Sequence, residues 1–332
     1  MDRIGRAKGP TVHPLIHRVI SLFLKNIGAF YATLSGLFFG LIGYFGVSVI
    51  QENISVPNML FWRFLISSLF IFFLLLPQLG NLKLTAIETL KVFIYGLIFY
   101  GSTSTLYFLS AEYTGSGIAM VIFFTYPALV MLINYLLYKQ KVNRIYTLSL
   151  LIIFIGMLCL VKGSRYTFSF MGLGFGLLSS LLYAVYIIVS KKSPLAPLVS
   201  TFWVSLGAAM SCLAVALVHH SFIVPEKLSI WLNICGIGII CTALPIVFLL
   251  KGLKNISSLQ ASILSVLEPV FVLIFGIILL GEQVNLIQGL GILVLLSGAL
   301  LSLLSGRFDS LPEDKKQKSE ALELNLAQRN ID

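Results

Sequence analysis

Glu268 stands inside a long apolar run, residues 257–285, about 11 residues from its start. At helical rise that is roughly 16 Å along the axis, near the middle of a bilayer. Pro269 follows it, and a proline there leaves the carbonyl of Ser265 without its helical N–H partner. An ionisable side chain and a free backbone acceptor are therefore expected side by side at membrane depth. A carboxylate held in lipid is costly, so it reads as functional: it can bind the cationic part of a solute or carry a coupling proton. Pairing with a buried donor on a neighbouring helix is the plainer use. The residue types alone do not separate these roles.

Other residues inside the apolar runs could share a site with it. Tyr44, Tyr100, Thr103, Ser104, Tyr126, Tyr183, Tyr186, Thr242 and Ser265 supply rings and hydroxyls. Such a set suits a small amphipathic solute, with an apolar wall and a few polar anchors. About half of them are expected to face a cavity, because tyrosines also form the interfacial belts of membrane proteins. Arg63, about five residues inside its run, could meet an anionic group or pair with Glu112 or Glu52. Snorkelling to the outer headgroups is its plain alternative. His219 and His220 close a run beside water and receive no role.

These residues need helices to hold them, and the composition says which kind. The chain has 332 residues, 58% hydrophobic and 11% charged. An ordinary soluble domain carries about 25% charged residues, so a water-facing globule is excluded. Charges cluster between long uncharged stretches, the pattern of a polytopic helical membrane protein. The net charge of +10 lies in short loops and tails, so topology accounts for it without nucleic acid. Cys159, Cys212, Cys235 and Cys241 lack metal-ligand spacing and read as small apolar packing residues. The basic N-terminal segment shows no cleavage site, so a cleaved signal peptide is not expected. Its stretch 14–24 is mildly amphipathic and suited to the membrane surface.

Ten transmembrane helices are predicted, at about 27–50, 58–76, 92–111, 115–138, 145–161, 171–190, 198–218, 230–250, 257–285 and 286–305. Gly36, Gly40, Gly43 and Gly46 line one face of the first, where small residues admit a close neighbour. An even number puts both tails on one side. With the N-terminus inside, 19 of the 23 basic residues fall on the inner side and three on the outer, Arg63 lying within a span. That asymmetry places both termini in the cytoplasm.

The chain also resembles itself. At an offset of 142, Ser116–Asn143 overlies Ser258–Asn285 without a gap, with Pro127 on Pro269 and Val142-Asn143 on Val284-Asn285. The offset covers five spans, an odd number, so equivalent helices run in opposite directions. This is an all-α integral membrane architecture of two inverted-topology five-helix repeats, common among secondary transporters. Such folds bind solute near the midplane, where helices are interrupted at matching positions. Pro127 and Pro269 are that matching pair, and Tyr126 and Glu268 precede them. The division expected is a basic tail (1–26), a first repeat (27–163), a second repeat (164–306) and a polar tail (307–332).

Trp62-Arg63-Phe64, the run 257–261, Glu268-Pro269, and Gly281-Glu282 followed by Gln288-Gly289-Leu290-Gly291 resemble the EamA family of ten-helix carriers in the drug/metabolite transporter superfamily. The likeness covers about residues 27–305. It implies alternating access around a central cavity lined by the first, third, fourth, sixth, eighth and ninth spans. The activity implied is secondary, non-ATP transport of a small metabolite, such as an amino acid or related amphipathic solute, across the inner (plasma) membrane. Two departures stand out. Gln140 occupies the place where the first repeat usually ends its fourth span with an acid, and Tyr126 stands where a small or apolar residue is usual.

An integral-membrane enzyme acting on a lipid-linked substrate is the competing class. Such enzymes cluster acid/base groups, metal ligands or a nucleophile at an interface, and no such cluster is legible here. His13 and His17 are spaced for a metal but lack an acidic companion. A phosphate-binding G-x-x-x-x-G-K-[ST] loop is absent, and no filter-like loop is seen. The expected partners are therefore a small-molecule solute and the lipid bilayer, with no cofactor, metal or nucleic acid. The glycine-rich last helix could support a homodimer, though packing within one chain explains it equally well.

Overall fold

A computed structural model describes residues 14–42, 44–45, 49, 54–81, 85–139, 144–161, 169–280 and 285–305. Every element among them is helical. Helix α1 is Pro14–Gly40 and α2 is Val56–Leu75, closed by a 3-10 turn at Leu76–Asn81. Helix α3 (Ala86–Ile94) passes through a π-helical stretch, Tyr95–Gly101, into α4 (Ser102–Thr114). Helices α5 (Ser116–Phe123) and α6 (Tyr126–Tyr138) form one broken crossing, followed by α7 (Arg144–Val161). Next come α8 (Phe170–Lys191), α9 (Pro197–Val218) and α10 (Leu228–Cys235). A second π-helical stretch, Gly236–Ala243, leads into α11 (Leu244–Asn255). A second broken crossing, α12 (Ser258–Ser265) and α13 (Glu268–Leu280), precedes α14 (Leu286–Ser305).

Among the described residues, eight helical segments are long and apolar enough to cross a membrane, and Ile27–Gly40 and Leu286–Ser302 are shorter apolar helices. The protein is thus a multi-pass membrane protein. The exposed large side chains are mostly Leu, Ile and Phe, as a surface facing lipid tails requires.

Several boundaries differ from the sequence expectation. The amphipathic stretch 14–24 is continuous with α1 rather than a separate surface helix, since no proline interrupts the chain from Leu15 to Gly40. Gly43, Gly46 and Ile50 of the predicted first span lie outside the described residues, as do Glu52 and both outermost tails. The third crossing begins at Ala86 rather than near residue 92. Glu88 and Lys91, in its first two turns, pair with each other at 2.7 Å.

The element boundaries recur. Helices α5 and α6 map onto α12 and α13 at a uniform offset of 142 residues, ends included. The two π-helical stretches, each between a short helix and a longer one, recur at the same offset to within one residue. Packing follows the correspondence: α2 lies on its counterpart α9 and α7 on α14, while α1–α11 is matched by α8–α4. Glycines set the closest approaches. A Cβ at Gly291 would lie 2.8 Å from Cys159 Cβ, and one at Gly298 2.8 Å from Ile153 Cγ1, so this glycine face is used against α7 inside the chain.

Candidate functional site

The two breaks position the site. Pro127 and Pro269 each stand second in the helix that comes after a break, where a missing N–H costs nothing. The chain turns tightly there: Thr125 N–H bonds to Ile122 O at 3.1 Å, and Leu267 N–H to Leu264 O at 3.1 Å. Glu268 is therefore the first residue of α13, at the end that carries partial positive charge. Helix α1 packs on this break at Gly36, where a Cβ would make ordinary contact with Glu268 N at 3.4 Å.

A cavity of about 380 Å³ reaches Glu268. It extends from the break towards Ser116, the first residue of α5, past Met59 near the start of α2. Gly115 joins α4 to α5 with φ 86°, a left-handed turn that suits glycine and brings Ser116 to the rim. Phe39, Ile42, Tyr107, Phe108, Met120, Phe123, Phe124, Ile237 and Val272 give the cavity an apolar, mostly aromatic wall.

Of the residues expected from sequence, Glu268, Arg63, Tyr100, Thr103, Ser104 and Tyr183 line this cavity. The other five do not. Tyr126 is 1% exposed and donates its hydroxyl to Ser262 O at 3.2 Å, tying one broken crossing to the other. Tyr186 is fully buried behind Tyr100, ring centroids 4.8 Å apart. Ser265 is buried and donates to Ala261 O at 3.0 Å within its own helix. Thr242 lies behind Arg63, and Tyr44 is exposed, edge-on to Phe45. Tyr107, Phe108, Phe123 and Phe124 carry much of the wall, and the sequence does not single them out. Their only signal is an aromatic ring among many apolar residues.

Arg63 is 5% exposed, which removes the snorkelling alternative. Its Nε–H donates to Thr242 Oγ1 at 2.7 Å, and that hydroxyl donates to Ile237 O at 2.8 Å. The guanidinium carbon lies 4.9 Å from the Phe64 ring centre, and Tyr100 stands beside it. Thr242 fixes the Nε edge of the side chain, and Arg63 lines the cavity beside Tyr100. Glu268 feels this positive charge, yet no Arg63 nitrogen comes within 4.0 Å of its oxygens. Among the described residues the Glu268 carboxyl has neither an ion pair nor a hydrogen bond, and it is partly exposed where it lines the cavity. Among the same residues no group of three or more His, Cys, Asp or Glu side chains could hold a metal.

Aromatic rings close the cavity beyond Glu268. Tyr183 meets Tyr126 edge-on at 4.7 Å and Phe123 at 5.2 Å, and Tyr100 meets Tyr186. Past this layer, Lys191 donates to Leu253 O at 2.5 Å and Lys254 to Ser193 O, clasping the ends of α8 and α11 together.

Residues 26–162 and 170–304 both match the EamA-like transporter family. An uncharacterized transporter of Bacillus subtilis (strain 168), YxxF, is 27% identical over 293 residues, spanning 86% of this chain and 92% of that protein. An uncharacterized transporter of Archaeoglobus fulgidus is 28% identical over 209 residues, 62% of this chain and 73% of its own length. A solved crystal structure superposes with a TM-score of 0.69 at 16% identity, covering 85% of this chain and 98% of the other, a likeness of fold.

Proposed function

The chain belongs to the EamA-like transporter family, and on that premise we propose that it is a secondary, non-ATP transporter of a small amphipathic metabolite. It works by alternating access across the inner (plasma) membrane, both termini in the cytoplasm. Its ten helices form two inverted five-helix repeats, residues 27–163 and 164–306. The recurrence of broken crossings and π-helical stretches supports that reading, and so does the excess of basic residues on one side.

The observation that carries the proposal is the cavity of about 380 Å³ that ends at Glu268, on a helix broken at its proline. A solute-sized space with an unpartnered carboxylate at membrane depth suits a carrier better than an interface enzyme. The aromatic layer and lysine clasp close the cavity at its far end, as one face of an alternating-access cycle needs. Opening would require α8 and α11 to part.

Proteoliposomes test this. Charge movement across a panel of amino acids and related metabolites is recorded under an imposed pH gradient, wild type beside Glu268→Gln. A solute-evoked current present in wild type and lost in the variant is the expected result. Uptake by the variant equal to wild type would remove Glu268 from the mechanism.

A further inference from the structure

We propose that a second, closed site lies beyond the aromatic layer: an uncharged, hydroxyl-lined vestibule between the first π-helical stretch, α8, α9 and α11. Through it the solute reaches the membrane face that carries the N-terminus. The inference rests on the transporter reading and names the residues and the chemistry of its other doorway.

A small cavity of about 10 Å³, room for one water, is already present there. It is lined by Tyr95, Ser190, Ser193, Ser200, Val204 and Leu250, among others. Its place is between the aromatic layer and the lysine clasp. Tyr186, whose ring meets Tyr100, comes one helical turn before Ser190. Ser193 accepts the Lys254 arm of the clasp on its carbonyl. The Tyr186 hydroxyl is buried beside Ser190 and makes no hydrogen bond among the described residues. A buried hydroxyl without a partner is costly, so this one gains a partner when the region opens to water.

The small cavity is the repeat counterpart of the large one. At offsets of 141 or 142 residues, Ser200 falls on Met59, Val204 on Arg63, Tyr95 on Ile237 and Leu250 on Phe108. The first of each pair lines the small cavity and the second the large one. Backbone packing agrees with the pairing. A Cβ at Gly96 would lie 2.2 Å from Val204 O, and one at Gly238, its counterpart, 3.0 Å from Arg63 O. So α9 is seated on the first π-helical stretch as α2 is on the second, and both cavities share one kind of floor. Their walls differ. The large cavity lies between α1 and α4, whereas their counterparts α8 and α11 are clasped by Lys191 and Lys254. Parting α8 from α11 over the fixed floor would enlarge the small cavity into a match of the large one.

The chemistry of the two would still differ. Valine stands for Arg63 and serine for Met59, and no charged side chain lines the small cavity. Serine suits a wall that is dry in one state and wet in the other. Its hydroxyl can bond within its own helix when closed in and turn to water or solute when exposed.

The test is thiol accessibility in sealed membrane vesicles of known orientation, with the full-length chain lacking Cys159 and Cys235 as parent and control. The probe is a charged, membrane-impermeant methanethiosulfonate. Ser200→Cys and Ser190→Cys are expected to label from the N-terminal face only, and Ser104→Cys from the opposite face. Replacing Lys191 and Lys254 by Ala should speed labelling at Ser200→Cys by about tenfold and slow it at Ser104→Cys. A rise at both positions would mean a loosened fold and overturns the proposal. So does labelling of Ser200→Cys from the opposite face, or none from either. If the clasp variant does not fold, slow labelling of both serine positions from the N-terminal face with the clasp intact decides the matter. If a solute is carried in proteoliposomes while both positions stay silent, the transport reading stands and the vestibule falls. If both label as expected and no solute is carried, the vestibule stands and the transport reading fails.

Discussion

Tyr126 Oη donates to the carbonyl of Ser262 over 3.2 Å, so one broken crossing holds the other just before its break. The phenol occupies the repeat position equivalent to Glu268, and it is spent on structure. Tyr126→Phe keeps the ring against Tyr183 and Phe123 and removes only this bond. A loss of about 0.5–1.5 kcal/mol is expected, read as a lower unfolding temperature in detergent. Solute affinity should not change; a large rise in KM would place the hydroxyl in the site after all.

Thr242 is the only side chain that accepts a hydrogen bond from Arg63 Nε among the described residues. Thr242→Val has nearly the same shape and cannot accept it. It should cost about 1–2 kcal/mol and weaken solute binding by loosening the guanidinium. Thr242→Ser should restore most of both. Equal behaviour of the Val and Ser variants would mean the contact does not position Arg63.

Two glycines of α1 predict opposite tolerance. A methyl group at Gly36 would make ordinary contact, 3.4 Å from Glu268 N. One at Gly40 would lie 2.7 Å from Phe271 Cβ and 3.1 Å from its backbone carbonyl carbon. Gly36→Ala is therefore expected to be mild, whereas Gly40→Ala should destabilise by about 1–3 kcal/mol through overpacking. Thermal unfolding of the two variants side by side checks the order.

Solvent access separates wall from core. In a background lacking Cys159 and Cys235, the buried Cys212 and Cys241 should stay silent to a charged thiol reagent. Ser104→Cys, on the cavity, should react, and bound solute should protect it. Ser262→Cys, fully buried, should not. Labelling of both at one rate would contradict the cavity's shape.

The amino-acid sequence determined what local chemistry determines. Composition required a membrane protein. Pro127 and Pro269 required breaks, because a proline has no N–H to give, and spacing placed Glu268 at one of them. The 142-residue self-likeness located the two matching broken crossings, α5–α6 and α12–α13. Only the tertiary structure decided which side of each helix faces the cavity. Helical period tells which residues share a face, but not how that face is turned. The π-helical stretches make this worse. Each adds residues to a turn and rotates the rest of the helix, by about 100° for one residue. Tyr100 thus reaches the cavity while Thr242 lies behind Arg63, although residue type and spacing rank the two equally. The bond from Arg63 to Thr242 spans 179 residues of chain. No local pattern encodes it; it forms because α2 packs against the second π-helical stretch.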